Sequence, residues 1–78
     1  MRAKKPTLVI TFATTTQAMA MEKFCMAQGL PGRLIPVPRE ITAGCGLSWK
    51  ADPADKEALE NALTQHDMKG QEMHIIEI

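Results

Sequence analysis

The order of strand-like and helix-like segments is the feature that most limits how this 78-residue chain can fold. Four β-rich runs alternate with two helix-forming stretches, the strands at 8–12, 33–37, 47–50 and 72–78 and the helices at 17–28 and from 53 toward Gly70. The resulting order is β-α-β-β-α-β. This order is typical of a ferredoxin-like α+β sandwich, in which a four-stranded antiparallel sheet carries two helices on one face.

Both helices have recognisable ends. Thr14, Thr15 and Thr16 supply N-cap candidates for the first helix, and Gly29 is a natural stop. Asp52 and Pro53 suit the N-cap and first position of the second helix. Residues at helical spacing predict the buried stripes: Ala18, Met21 and Cys25, widened by Phe24, in the first helix, and Ala58, Leu59, Ala62 and Leu63 in the second.

Composition excludes several classes of protein. Lysine plus arginine equals aspartate plus glutamate at nine each, which gives a nucleic-acid footprint little support. Arg2, Lys4 and Lys5 cluster at the terminus, so residues 1–6 are expected to form a flexible basic tail on a single domain spanning 1–78. No apolar run is long enough for a signal peptide or a membrane span, and two cysteines are few for a secreted domain. We expect a cytoplasmic protein that binds neither nucleic acid nor membrane.

The segment Gly44-Cys45-Gly46 is the strongest candidate for chemistry. Flanking glycines leave the thiol accessible and allow backbone N–H groups to point toward it. If the loop folds back, Arg39 adds a positive charge, and both effects would lower the pKa of the thiol. On spacing alone a structural or incidental Cys45 stays open, because free cysteine is among the most buried residue types.

The remaining chemically capable residues favour structural roles. Cys25 falls on the buried stripe of the first helix, which predicts a core position. His66 lies near the end of the second helix and His74 in the last strand, neither close to Cys45 in sequence. No Cys-x-x-Cys pair is present, so neither a metal site nor a cofactor is predicted.

Several motifs together resemble a known family. They are Thr11-Phe12, Gly29-Leu30-Pro31, the run Pro36-Val37-Pro38-Arg39-Glu40-Ile41, and Cys45-Gly46-Leu47. With them the chain, over almost its whole length, resembles the selenium/sulfur carrier protein-like family of small bacterial proteins, formerly a domain of unknown function. The resemblance implies that Cys45 accepts sulfur or selenium as a persulfide or selenosulfide and passes it on. It matches Pro36, Pro38, Arg39 and Glu40 to the presenting loop and Gly46 to the small residue beside the acceptor. The flanking position of Gly44 adds that residue to the predicted loop.

The resemblance also implies partners. A donor enzyme of the cysteine desulfurase or selenocysteine lyase type would load the thiol, and an acceptor protein would collect the cargo, so the carrier needs no turnover of its own. The alternative is a non-catalytic ferredoxin-like interaction module with a structural Cys45. Such a module would bind a partner, or form a homodimer, through the open sheet face. An unreactive, buried Cys45 would favour this alternative.

Overall fold

A computed structural model describes residues 5–39, 41, 46–67 and 71–77. Its elements are β1 (Pro6–Phe12), α1 (Thr15–Gln28), β2 (Arg33–Pro36), β3 (Leu47–Ala51), α2 (Lys56–Gln65) and β4 (Gln71–Glu77). The strands form an antiparallel sheet in the order β2-β3-β1-β4. The fold is therefore the predicted α+β ferredoxin-like one. β1 begins at Pro6, the last residue assigned to the tail from sequence.

Helix α1 is fixed at both ends by the predicted signals. Thr14 is the N-cap, and its hydroxyl accepts a hydrogen bond from the Gln17 N–H at 3.2 Å. The Gln17 side chain accepts in return from the Thr14 N–H at 3.2 Å, which completes a capping box. Gly29 adopts a left-handed conformation with φ 67° and ends the helix. Because the cap is Thr14, the helix begins two residues earlier than the predicted Gln17.

Helix α2 is shorter than predicted. The Asp52 carboxylate accepts from the Ala54 N–H at 2.9 Å as expected, but the first turn is a separate 3-10 helix, Pro53–Asp55. The α-helix ends at Gln65, well before Gly70, and Asp67 then takes a positive φ of 54° that a helix cannot continue.

The buried stripe of α2 is also narrower than predicted. Leu59 and Leu63 are buried and Ala62 is half-buried, but Ala58 is exposed. The prediction for Ala58 is wrong because the two leucines, four residues apart, form the line that faces the sheet. Among the described residues no helix has the length and apolar character required to cross a membrane.

The hydrophobic core lies between the helices and one face of the sheet. Both helices contribute to one buried cluster, which places them on the same face. Its members are Leu8, Ile10, Phe12, Ala18, Met21, Cys25, Trp49, Ala51, Leu59 and Leu63. The predicted core position of Cys25 is confirmed.

The opposite side of the sheet, called the open face below, carries the alternate residues of each strand. The strand register places there Arg33, Ile35, Ser48, Lys50, Thr7, Val9, Thr11, Glu72, His74 and Ile76. Its centre is already withdrawn from water in the single chain, since Val9 and Ser48 are 0% exposed and Thr11 is 2% exposed. The Thr11 hydroxyl lies 3.4 Å from His74 Nε2, which puts that histidine on this face. The open face is therefore not an exposed apolar surface that a partner must cover.

Candidate functional site in the loop between β2 and β3

The candidate site is the hairpin loop 37–46, which joins β2 to β3. Pro36 pairs with Leu47 at the ends of the two strands. Beyond this pair the Val37 N–H donates to the Gly46 carbonyl oxygen at 3.0 Å and closes the neck of the loop. At the same end of the sheet Phe12 of β1 pairs with Gln71 of β4. The loop therefore starts and finishes on the hydrogen-bonded ladder of the sheet.

Inside the loop the chain is held at a second point. The Ile41 N–H donates to the Pro38 carbonyl oxygen at 3.0 Å, which closes a tight turn with Arg39 exposed in it. Ile41 is only 8% exposed and lies outside the helix-side core cluster. Sequence reasoning missed this anchor. The available signal was a β-branched apolar residue within 39–46, a stretch otherwise made of polar and small residues.

The structure describes four of the seven predicted site residues. Pro36 is exposed at the end of the edge strand β2, as expected for a residue without a backbone donor. Pro38 is half-buried, Arg39 is exposed, and Gly46 is exposed with φ +89°. The other three, Glu40, Gly44 and Cys45, lie outside the described residues. The exposure of the Cys45 thiol and its separation from Arg39 therefore stay predictions.

Gly46 gives a direct test of the loop backbone. A Cβ added there would meet no atom of the described residues within 4 Å, so the expected cost of Gly46→Ala comes from the positive φ of 89°. We expect the substitution to lower the free energy of unfolding by about 1–2 kcal/mol. Urea unfolding followed by the fluorescence of the single tryptophan, Trp49, measures this loss. An unchanged urea midpoint would contradict the left-handed geometry.

Cys25 is unsuited to chemistry in the folded protein. It is 0% exposed in α1, and its thiol is free. Burial raises the pKa of Cys25 to about 11. At neutral pH about one molecule in ten thousand would hold this thiol ionised. In the folded protein Cys25 therefore neither contacts a reaction partner nor ionises at neutral pH to a useful extent.

The histidines lie in different parts of the fold. His66 caps the end of α2, and its ring meets the Phe24 ring edge-on, with centroids 4.8 Å apart. His74 contacts Thr11 on the open face. Within 5–39, 41, 46–67 and 71–77, no three residues among His, Cys, Asp and Glu gather as a metal site would require.

A groove of about 310 Å³ lies between α2 and β4 on the helix side of the sheet. Its lining consists of Lys56, Glu60, Leu63, Thr64, Gln71 and Met73. None of the four described site residues lines it, and the described lining includes no thiol or imidazole. The groove is therefore separate from the loop as a candidate site.

Comparison with known protein families shows which family the chain belongs to. The family model described as "Putative Se/S carrier protein-like" matches residues 7–75. The chain belongs to this family. The matched region runs from β1 into β4 and includes the whole β2–β3 loop. No match was found among the curated proteins or among the solved structures. Membership of a selenium/sulfur carrier family implies contact with donors and acceptors of these elements in general.

Proposed function

We propose that this protein carries sulfur or selenium on the thiol of Cys45. The observation that carries the proposal is the burial of the other cysteine. The chain has two cysteines, and Cys25 is sealed in the core with a raised pKa. A carrier thiol must ionise and must touch a sulfur or selenium atom of another molecule. In a member of a selenium/sulfur carrier family, this leaves Cys45 as the carrier residue.

The surroundings of Cys45 support the role. Its neighbour Gly46 is exposed, and no described residue beyond its chain neighbours lies within 4 Å of a Cβ built at that position. Arg39, in the same loop, is exposed and forms no ion pair with any described residue. A guanidinium close to a thiolate stabilises it and lowers the pKa of the thiol, and this is the role that we propose for Arg39.

The proposed step is a thiol exchange that needs no external oxidant or reductant. The Cys45 thiolate attacks the terminal sulfur of a donor persulfide, R–S–SH. A sulfur–sulfur bond forms to Cys45, the donor's own sulfur–sulfur bond breaks, and the donor leaves as the thiolate R–S⁻. In the selenium reaction the terminal atom of the donor is selenium. A sulfur–selenium bond forms to Cys45 while the donor's own sulfur–selenium bond breaks. A second exchange hands the atom to an acceptor thiol and returns Cys45 to its starting state. Carriage is therefore stoichiometric, between a donor of the desulfurase or lyase type and an acceptor protein.

Intact-mass measurement after incubation with glutathione persulfide, or its selenium analogue, tests the proposal. We expect the wild type to gain the mass of one sulfur or selenium atom and a reducing thiol to remove it. Cys45→Ser should gain nothing, and the matched variant Cys25→Ala should load like the wild type. A gain that persists in Cys45→Ser, or no gain in any variant, would rule out Cys45 as carrier. The latter result, with a Cys45 that resists alkylation, would favour the interaction module.

A further inference from the structure

The charged side chains of the described residues are divided unequally between the two layers of the fold. The helix layer, defined as 14–29 and 52–67, holds six carboxylates against two lysines: Glu22, Asp52, Asp55, Glu57, Glu60 and Asp67 against Lys23 and Lys56. In the sheet layer, which is the four strands with Lys5 and the described residues of the β2–β3 loop, four cations stand against two carboxylates: Lys5, Arg33, Arg39 and Lys50 against Glu72 and Glu77. Among the described residues, the helix layer is therefore acidic and the sheet layer basic.

Two of these cations lie directly opposite each other on neighbouring strands. Arg33 of β2 and Lys50 of β3 are directly paired in the sheet, and both project from the open face. Like charges directly opposite each other destabilise a sheet. Neither residue forms an ion pair with any described residue. The acid described on this face, Glu72, lies in β4, two strands away from Lys50. Among the described residues, the Arg33–Lys50 pair therefore has no ion-pair partner.

We propose that Arg33 and Lys50 form a docking site for an acidic protein surface, that of the partner which delivers or collects the cargo. The identity of that partner rests on the proposed function, whereas the charge separation does not. The two cations lie three residues from the Pro36–Leu47 pair at the mouth of the loop, or about 10 Å along the strands. A partner bound over them therefore reaches the loop that contains Cys45, and that loop carries a further exposed cation, Arg39.

A second copy of this chain fits the open face poorly. In a two-fold dimer the same patch of each copy faces the other, so the Arg33–Lys50 pair would lie against a second basic patch. Among the described residues of this face, Glu72 is the carboxylate that could reduce the repulsion. Stacking the open face on the acidic helix layer of another copy would pair opposite charges, but such a head-to-tail contact builds a ring or an open filament and not a two-fold dimer. The charges thus favour a different, acidic protein over a homodimer through this face.

Nucleic acid also fits poorly. Binding to a phosphate backbone relies on many cations, and single strands also need exposed aromatic rings for base stacking. The open face presents two strong cations, and the one tryptophan points the other way. Trp49 is buried on the helix side, with its Nε1–H donated to the Pro31 carbonyl oxygen at 3.1 Å.

Binding of a fluorescein-labelled polyglutamate peptide, measured by anisotropy, tests the site. We expect wild type and Cys45→Ser to bind alike, with an affinity that falls as salt is added. The double variant Arg33→Glu/Lys50→Glu should bind at least about tenfold more weakly. The matched reversal Lys23→Glu, on the exposed surface of α1, should stay within about twofold of the wild type.

Three results would overturn the proposal. The first is unchanged binding of the peptide by the double variant. The second is tighter binding of a thymidine oligonucleotide of equal charge. The third is self-association of the wild type in sedimentation that the double variant abolishes.

The single variant Arg33→Glu tests the opposition of the two cations through the stability of the fold. It turns the repulsive Arg33–Lys50 pair into an attractive one and should raise the urea midpoint. Cys45→Ser should bind the polyglutamate peptide even though it cannot carry sulfur. Loss of peptide binding and loss of sulfur loading are therefore separate outcomes.

Discussion

Replacing Gly32 with alanine is expected to remove about 3 kcal/mol or more of the free energy of unfolding. Gly32 has φ +114°, and an added Cβ would stand 2.5 Å from the Lys50 carbonyl oxygen and against the indole of Trp49. Neither neighbour can give way easily. Lys50 is fixed by its pairing with Arg33, and Trp49 is 3% exposed and hydrogen-bonded to Pro31. Backbone strain and overpacking therefore act together.

The matched control is Gly29→Ala. Gly29 also has a positive φ, of 67°, but a Cβ there meets nothing within 4 Å. This variant should lose only about 1 kcal/mol. Against a total of roughly 4–12 kcal/mol for a chain of this size, the difference between the two is easily measured. Urea unfolding monitored by far-ultraviolet circular dichroism is the suitable assay, because Gly32→Ala perturbs the tryptophan itself. Equal losses in both variants would show that the contact with Trp49 relaxes without cost.

The stability of the protein is expected to fall as pH rises from about 9 to about 11, owing to Cys25. Its pKa in the folded protein is about 11, against 9.0 for a free thiol, and the cause is burial. Above pH 9 the unfolded chain releases this proton while the folded protein keeps it, which favours unfolding. The contribution is complete below pH 9. About 2–3 kcal/mol of it would be lost once the pH exceeds 11.

Cys25→Ala provides the comparison, in a Cys45→Ser background so that one thiol titrates. Lysine deprotonation affects both proteins equally, and the difference between their profiles isolates Cys25. We expect the free energies of unfolding of Cys45→Ser and of Cys45→Ser/Cys25→Ala to converge above pH 9. Only the protein that retains Cys25 loses the contribution of the buried thiol. Parallel profiles from pH 8 to pH 11 would show that Cys25 ionises as easily in the folded state as in the unfolded one.

Much of the fold could be predicted because its signals are local. The β-rich runs, the Thr14 cap and the Gly29 stop each act over a few residues, and together they fix the order of elements. The stripe that contains Cys25 could be predicted for the same reason. The length of α2 could not, since the break after Gln65 depends on backbone angles such as the positive φ of Asp67.

The candidate site depends more on contacts that sequence spacing does not reveal. The burial of Cys25 was predictable from its place on the helical stripe, whereas the role of Cys45 stays a proposal. The opposition of Arg33 and Lys50 was not, because a shift of one residue in the strand register would move one of them to the other face. The anchoring of the loop through Ile41 likewise follows from tertiary packing.

The hydrogen bond between Val37 and Gly46 bears on how a cargo atom would travel. Gly46 is tied to the sheet at the neck of the loop, and consecutive Cα atoms are only about 3.8 Å apart. A residue directly before Gly46 therefore cannot act as a long swinging arm that shuttles between distant sites. Under the proposed function, donor and acceptor would each have to contact the loop itself, and transfer would be a succession of bimolecular encounters. The rate of delivery would then scale with the concentrations of both partners.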